Sequence, residues 1–321
     1  VLYPIVDALA TDSGSAVEEG SRRKLGAYLM MCSMSGLTIS SAMWLTAMAA
    51  NPVGVAMAAE YGVELSYASW VLAASLPCLM AFIALPRVLY TVFPPEQTDT
   101  PDAPRWARDE LNHMGPLLVR EKIMAGTFIG MVGLWIASAP LGLDKAAIAF
   151  LGIAVLMLSG IFTPKDIYRE GRALETLIWF AILFAMSSNL NNLGFMSWVG
   201  GFISVWVEDL SWPWVYTLLI VAYVGIHYFF VSQTAQMLAL FSVFLSVAMN
   251  AGVPGELMAL MLLFATNFNA VIAPQGSSCN VIYVGSGYIE SGEVYRYGGI
   301  VTLVNLLIFL IPGTLWILLV I

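Results

Sequence analysis

Long apolar runs alternate with short polar segments along almost the whole chain. Most of these runs approach the ~20 residues that a helix needs to cross a bilayer. They lie at about 25–47, 68–92, 122–140, 145–164, 174–190, 212–231, 234–250, 254–272 and 296–320. The segments between the runs are short, and the longest of them begins at Pro94. The pattern predicts an all-α polytopic membrane protein.

Two of these stretches contain residues that an unbroken helix does not readily accommodate. Residues 273–280 read "APQGSSCN", and residues 46–54 read "TAMAANPVG". Proline lacks the backbone donor of a helix, and every backbone group freed in hydrocarbon needs another partner. Each stretch therefore predicts a broken crossing with a polar role inside the membrane.

The sequences that follow the two breaks resemble each other. "NPVGVAMAAEYGVELSYASW" starts at Asn51, and "NVIYVGSGYIESGEVYRYGG" starts 229 residues later at Asn280. Each copy contains an asparagine, a short apolar half-helix, a glycine-containing turn with Glu64 or Glu293, and the start of a long run. The pattern predicts inverted repeats whose broken helices bind the cargo near the bilayer midplane. Two unrelated kinks are the alternative.

A polar triplet, Ser232-Gln233-Thr234, divides the apolar residues 212–250 into two arms. This predicts a re-entrant hairpin whose tip meets the break at 273–280. Helix amino-terminal ends there would offer N–H donors and a positive dipole end to an anion, and unwound carbonyls would suit a small cation. His227 lies near the tip, and we expect it to be a hydrogen-bonded packing residue.

Composition agrees with the membrane assignment and excludes several functions. Sixty per cent of the residues are hydrophobic, 11% are charged, and the mean hydropathy is +0.83, whereas soluble domains have about 25% charged residues. The chain has no zinc-site spacing, phosphate-binding loop, nucleophile elbow or basic patch, so we predict neither an enzyme nor a nucleic-acid partner. The central parts of the runs contain no Asp, Glu, Lys or Arg, so dipoles and co-bound cations must neutralise an anion.

Three stretches of the chain, 40–96, 227–240 and 280–311, resemble the divalent anion:sodium symporter family. The likeness is greatest to its branch of citrate/succinate and 2-oxoglutarate/malate translocators, and it extends over essentially the whole chain. It implies a homodimeric secondary transporter of the cell (inner) membrane that moves di- or tricarboxylates by sodium symport or dicarboxylate exchange, with elevator-like alternating access. The alternatives are an inorganic oxyanion transporter of the sulfate type and a non-transporting truncated membrane protein.

The resemblance also assigns functional residues. The family has Ser-Asn-Thr motifs at two hairpin tips, and the triplet at 232–234 matches the second motif with glutamine in place of asparagine. The implied substrate-binding residues are Ser232, Gln233, Thr234, Ser277, Ser278, Asn280, Thr46 and Asn51. The implied ligands of one sodium ion are the backbone carbonyls of Val231, Gln233 and Gly276, and Ala47 would contribute to another. No other cofactor is implied.

Basic residues predict the topology and the domain boundaries. With 94–121 as a cytoplasmic linker, only Lys145 among the 13 Lys and Arg residues lies outside, as expected when positive charge stays in the cytoplasm. Residues 1–93 would be the remainder of the first inverted repeat, and 122–321 the second repeat, with its hairpin near 212–250. The first Ser-Asn-Thr motif would precede Val1, so we expect the chain to be truncated at its amino terminus.

The charge distribution makes the location of the carboxyl terminus testable. We expect a tag fused after Ile321 to be labelled by an impermeant reagent in intact cells, because the basic residues place this end outside. A tag inserted in 94–121 should react only after permeabilisation. The opposite labelling pattern would contradict the topology.

Overall fold

The structure is a computed structural model that describes residues 2–101, 103–169, 178, 181–182, 185–186, 189–190, 192–195, 198, 201 and 210–321. Over these residues the regular structure is helical, without strands, so the all-α prediction is confirmed. Within them, five helical segments are long and apolar enough to cross a membrane: Tyr67–Val92, Trp212–Phe229, Gln233–Asn250, Gly255–Ile272 and Ser291–Val320. The predicted run at 174–190 lies largely outside the described residues.

The described α-helices are numbered here in chain order. The first nine are α1 (Leu2–Asp12), α2 (Gly26–Met43), α3 (Ala50–Ala59), α4 (Tyr67–Val92), α5 (Ala103–Met114), α6 (Val119–Ile136), α7 (Ser138–Leu141), α8 (Lys145–Leu158) and α9 (Pro164–Arg169). The others are α10 (Trp212–Ile226), α11 (Gln233–Asn250), α12 (Gly255–Phe268), α13 (Ser278–Gly285), α14 (Ser291–Glu293), α15 (Gly299–Ile308) and α16 (Thr314–Val320). Short 3₁₀ turns follow α10 (His227–Phe229) and α12 (Asn269–Ile272), and π-helical turns flank α15 (Val294–Gly298 and Phe309–Gly313).

The predicted helix breaks are present. Helix α2 ends at Met43, and α3 begins only at Ala50. Helix α12 and its 3₁₀ turn give way to extended backbone at Ala273, and the chain becomes helical again at Ser278. The predicted hairpin is also present, since α10 and α11 are joined through non-helical residues 230–232. Its placement relative to the lipid stays a prediction.

The chain forms two compact units. The first contains Val1–Leu65, Ser69–Pro101 and Met186–Ile321, and the second contains Ser66–Ala68 and Asp102–Ala185. The units are defined by packing and not by repetition, so the repeat boundaries predicted from the sequence stay a prediction. The predicted linker 94–121 includes α5, whose apolar residues Leu111 and Met114 are exposed.

Helix α12 is the centre of the first unit. Its residues from Leu257 to Phe268 are all buried, and it packs against α2, α3, α10 and α11. Aromatic contacts fix its outer side, with Trp70 5.1 Å from Phe264 and Phe309 4.9 Å from Phe268 between ring centroids. The helix that carries the second break is therefore the best-shielded element of this unit.

An ion-pair cluster joins the turn before α2 to the start of α14. The Arg22 guanidinium donates to Glu293 at 2.7 Å and to Glu290 at 2.6 Å, and Arg23 donates to Glu293 at 3.0 Å. Hydrogen bonding to Glu293 raises the pKa of Arg22 above its ordinary value. Residues 271 positions apart are thus held together, one from each predicted repeat.

The π-helical turn before α15 lies directly against the second break. A methyl group added at Gly298 would collide with the backbone carbonyl of Val271, whereas one added at Gly299 would meet nothing. Only a residue without a side chain permits this approach. The last long helical segment is consequently fixed against the 3₁₀ turn after α12.

We expect Gly298→Ala to destabilise the purified protein by about 1–3 kcal/mol, the range of overpacking substitutions. Gly299→Ala is the matched control, because both changes add the same methyl group and the same helix propensity. Thermal unfolding of the two variants in detergent would measure the difference. Equal melting temperatures would contradict the close contact with Val271.

Candidate functional site

The tip of the hairpin meets the second helix break, as predicted. The Nε2 atom of His227 lies 3.0 Å from the carbonyl oxygen of Gly276. From the start of α11, the side chain of Gln233 donates to the carbonyls of Thr266 and Asn267 at 2.8 and 2.9 Å. These contacts tie the hairpin to the end of α12 and to the break itself.

A buried asparagine bridges the second break itself. The Nδ2 atom of Asn280 donates to the carbonyls of Ala270 at 2.7 Å and Ala273 at 2.9 Å. The end of a helix leaves carbonyls without intrahelical donors, and hydrocarbon offers no water to replace them. Since Asn280 is 1% exposed, its amide supplies these donors from within the protein.

The first break has the same arrangement. The Nδ2 atom of Asn51 donates to the carbonyls of Ser41 at 3.0 Å and Trp44 at 3.4 Å. In both breaks the asparagine reaches the carbonyls ten and seven residues before it. The two asparagines singled out by the sequence comparison of the breaks therefore do the same structural work.

A direct hydrogen bond connects the two breaks. The Nδ2 atom of Asn267, near the end of α12, donates to the Oδ1 atom of Asn51 at 2.8 Å and to the carbonyl of Leu263 at 2.8 Å. Both asparagines are fully buried. A hydrogen bond between buried side chains thus joins the two broken helices.

His227 is buried and hydrogen-bonded, as expected. Its Nδ1 atom lies 2.6 Å from the Oε1 atom of Gln236, whose Nε2 atom donates to the carbonyl of Tyr223 at 2.6 Å. The bond to Tyr223 fixes which end of the Gln236 amide faces the ring, and the carbonyl of Gly276 can only accept. Each ring nitrogen therefore faces an oxygen, and a neutral ring, which carries one hydrogen, can donate to only one of the two.

Two helices begin at the site, and serine caps each of them. The hydroxyl of Ser232 accepts from the backbone N–H of Ala235 at 3.3 Å, and that of Ser277 accepts from Cys279 at 3.1 Å. Serine at this position satisfies one of the free donors of the first helical turn. The amino-terminal ends predicted from the polar interruptions are therefore present at both the tip and the break.

The predicted site residues differ in exposure. Asn51, Ser277 and Asn280 are buried. Ser232, Gln233 and Thr234 are partly exposed. Gly276 is buried, and the other predicted residues are exposed, namely Thr46, Ala47, Val231 and Ser278. Hydrogen bonds join Gln233, Asn280, Asn51 and Gly276 to the network around the breaks.

Several residues of this network were not among the predicted site residues. Thr266, Asn267 and Asn269 are fully buried at the end of α12, and the Oδ1 atoms of Asn267, Asn269 and Asn280 have no donor among the described residues. The signal in the sequence was the polar interruption "TNFN" just before Pro274. Buried acceptors of this kind are few in folded proteins, and ordered water commonly satisfies them.

The site is suited to binding without ionised side chains. Amide and imidazole N–H groups, serine hydroxyls and two helix amino-terminal ends lie at the tip and the break. Such groups bind the oxygens of an anion. Among the residues that the structure describes, no group of three or more His, Cys, Asp or Glu residues could hold a metal ion.

Comparison with known proteins identifies the family of the chain. The family model described as "Sodium:sulfate symporter transmembrane region" matches residues 1–321. The chain is 38% identical over 320 residues to dicarboxylate transporter 2, chloroplastic, of Spinacia oleracea, covering 98% of the chain and 57% of that protein. It is 37% identical over 319 residues to dicarboxylate transporter 1, chloroplastic, of Arabidopsis thaliana, with coverages of 98% and 57%.

A bacterial relative is more distant. The chain is 31% identical over 319 residues to the L-tartrate/succinate antiporter of Shigella dysenteriae, covering 98% of the chain and 65% of that protein. The chain thus spans little more than half the length of the plant relatives. All three relatives are named as transporters and not as enzymes. The resemblance seen in the sequence is confirmed, and the chain is a multi-pass membrane protein that belongs to the sodium:sulfate symporter transmembrane-region family.

Proposed function

We propose that the chain forms part of a secondary active transporter that moves dicarboxylates across a membrane. The observation that carries the proposal is the bonding of the hairpin tip to a buried, uncharged helix break through His227, Gln233 and Gly276. A site of this kind, at broken helices, holds the cargo in transporters built from repeats. The names of the plant and Shigella relatives supply the dicarboxylate as the cargo class.

Inverted repeats and alternating access are part of the proposal. The matching bonds of Asn51 and Asn280, at the same sequence offsets in both breaks, support an internal repeat. The distribution of basic residues supports opposite orientations of its two copies. In such proteins one part of the molecule moves relative to another around a fixed site. A homodimer, implied by the family resemblance, belongs to the same proposal.

For the driving force we propose exchange of one dicarboxylate for another. The Shigella relative is named an antiporter. Sodium symport is the alternative mode, and the description of the family supports it. The second sodium ion expected from the resemblance, near Ala47, remains a proposal within that alternative.

Inorganic sulfate is a second candidate cargo, because the family description names it. Sulfate would use the same N–H and hydroxyl donors in a smaller volume than a four-carbon dicarboxylate. Citrate carries a third carboxylate and would need further donors. The three anions therefore require different volumes and different numbers of hydrogen-bond donors at one site.

Uptake by reconstituted full-length protein tests the proposal. We expect labelled malate or succinate to enter proteoliposomes loaded with unlabelled dicarboxylate, and to enter poorly without it. Labelled sulfate and citrate, and a sodium gradient in place of internal dicarboxylate, form the other arms. Sulfate uptake that exceeds malate uptake would favour the second candidate, and no uptake of any anion would contradict transport.

Replacement of Thr234 tests whether the hairpin tip contacts the cargo. We expect Thr234→Ala to weaken malate binding by about 1–3 kcal/mol, because the lost hydroxyl leaves a partner unpaired. Thr217→Ala is the matched control, since Thr217 lies on α10 of the same hairpin and its hydroxyl donates to the carbonyl of Pro213. Binding measured by calorimetry should change in the first variant alone. Equal affinities would remove Thr234 from the site.

A further inference from the structure

We infer that a groove between α2 and α4 binds the phosphate group of an anionic phospholipid, whose acyl chains lie along the exposed apolar side of α4. Four residues line this groove, which is called the Arg87 groove here: Tyr28, Pro86, Arg87 and Tyr90. The inference goes beyond the proposed function, because it concerns a lipid ligand and holds whichever anion is the cargo.

Contacts between the two helices fix the walls of the Arg87 groove. The hydroxyl of Tyr28, on α2, donates to the carbonyl of Pro86, on α4, at 3.0 Å. The rings of Tyr28 and Tyr90 meet edge to face, with 6.0 Å between their centroids. The groove has a volume of about 410 Å³, and sites for small molecules occupy about 300–1,000 Å³. It therefore has room for a phosphate group and the glycerol next to it.

Arg87 is the charged residue of the groove, and most of its N–H donors have no partner among the described residues. A guanidinium has five N–H donors, and the hydrogen bond recorded for this one joins Nη1 to the carbonyl of Ile83 at 2.7 Å. The salt bridges of the described residues involve Arg22 and Arg23, and none involves Arg87. Tyr90, 47% exposed and three residues later on α4, adds a hydroxyl to the same groove. Paired guanidinium donors of this kind match two oxygens of a phosphate.

The guanidinium lies beside an apolar surface, so it needs a counter-charge. Its bond to Ile83 draws it back toward the middle of α4, away from the end of the helix at Val92. Ile83, Met80 and Leu79 are 50, 36 and 56% exposed, and their spacing of three and four residues places them on the same side of α4 as Arg87. They extend this side by about 12 Å from Arg87 to Leu79, at ~1.5 Å per residue. A cation beside such a surface is costly in a membrane unless an anion pairs with it.

A phospholipid matches both parts of this surface. Its phosphate pairs with Arg87, and its acyl chains cover Ile83, Met80 and Leu79. Inorganic phosphate would pair with Arg87 in the same way, but it would leave the apolar residues uncovered. The combination of one free guanidinium and an adjoining apolar side of a helix therefore favours a lipid over a free anion.

The predicted side of the membrane favours an anionic phospholipid over a zwitterionic one. The distribution of basic residues predicts that the end of α4 at Val92 lies on the cytoplasmic side. The surface of that leaflet is negative, and basic pockets between spans on this side bind lipid head groups. A choline head group carries a positive charge next to its phosphate, which Arg87 repels, whereas a glycerol head group adds only hydroxyls. We therefore expect phosphatidylglycerol to bind more tightly than phosphatidylcholine.

Native mass spectrometry of the full-length protein, released from detergent micelles, measures this preference. We expect the tightest phosphatidylglycerol to bind about tenfold more strongly than phosphatidylcholine, as one added charge-assisted contact predicts. Inorganic phosphate in excess should leave the bound lipid in place. Equal affinities for the two lipids would overturn the inference. Displacement of the lipid by inorganic phosphate would also overturn it, because the groove would then be a site for a free anion.

Variants of Arg87 assign the preference to the groove. Arg87→Gln removes the charge, and Arg87→Lys keeps the charge without the planar fork of donors. We expect the preference for phosphatidylglycerol to vanish in the first variant and to fall to about threefold in the second. Arg296→Gln is the matched control, because it removes the same charge from an exposed arginine outside the groove, predicted on the same side of the membrane. An equal loss in this control would show attraction to net charge alone and refute the site.

Electron cryomicroscopy of the full-length protein in nanodiscs that contain phosphatidylglycerol shows what occupies the groove. Phosphate density within hydrogen-bonding distance of the Arg87 guanidinium supports the inference. A protein segment across Ile83 and Arg87, or an empty groove, would contradict it. Should Arg87→Gln fail to fold, Arg87→Lys and this map decide the question. Malate uptake does not enter these measurements, so the lipid site and the proposed function can fail independently.

Discussion

Backbone carbonyls that lose their helical partners in an apolar surrounding must find other donors, and the structure is organised around this requirement. Each break frees carbonyls within the first unit, and at the second break they belong to buried residues such as Ala270 and Ala273. Side-chain amides meet the need at both places, through Asn51 at one break and Asn280 at the other. An unpaired carbonyl at such burial costs on the order of 1–3 kcal/mol.

Satisfying the carbonyls internally also determines what remains available to a ligand. The N–H groups at the starts of α11 and α13 are only partly used by Ser232 and Ser277. The site therefore presents donors to its surroundings while its backbone acceptors are turned inward and bonded. That polarity suits an anion, and it is obtained without burying a lysine or arginine, whose desolvation in a membrane is costly. The donors that the structure offers to an anion therefore lie where the helices are broken.

The breaks and the hairpin could be predicted because they leave local marks in the sequence. Pro274 and Gly276 interrupt an apolar run, and a polar triplet divides another. The partners of these residues could not be predicted in the same way. Asn267 bonds to Asn51 across 216 positions, and periodicity gives no information about such a pairing. The double use of the Gln233 amide depends on the orientation of a neighbouring helix end, which only the folded structure supplies.

The hydrogen-bond partners of His227 likewise could not be predicted from the sequence. The sequence predicts a hydrogen-bonded packing residue at this position, but it does not predict the two partners of the ring. One partner, Gln236, lies nine residues away, whereas Gly276 lies 49 residues away. The nearer bond resembles ordinary helix packing. The distant one joins the ring to the broken helix and gives the residue its place in the site.

The hydrogen bond between Asn51 and Asn267 has a mechanical consequence. Because the two broken helices share it at full burial, neither break can bend independently without exposing amide groups that have no substitute partner. The ion pairs of Arg22 with Glu290 and Glu293 tie the same two halves of the chain at another point. Joined at two separated places, the segments that carry the two breaks resist twisting as well as separation.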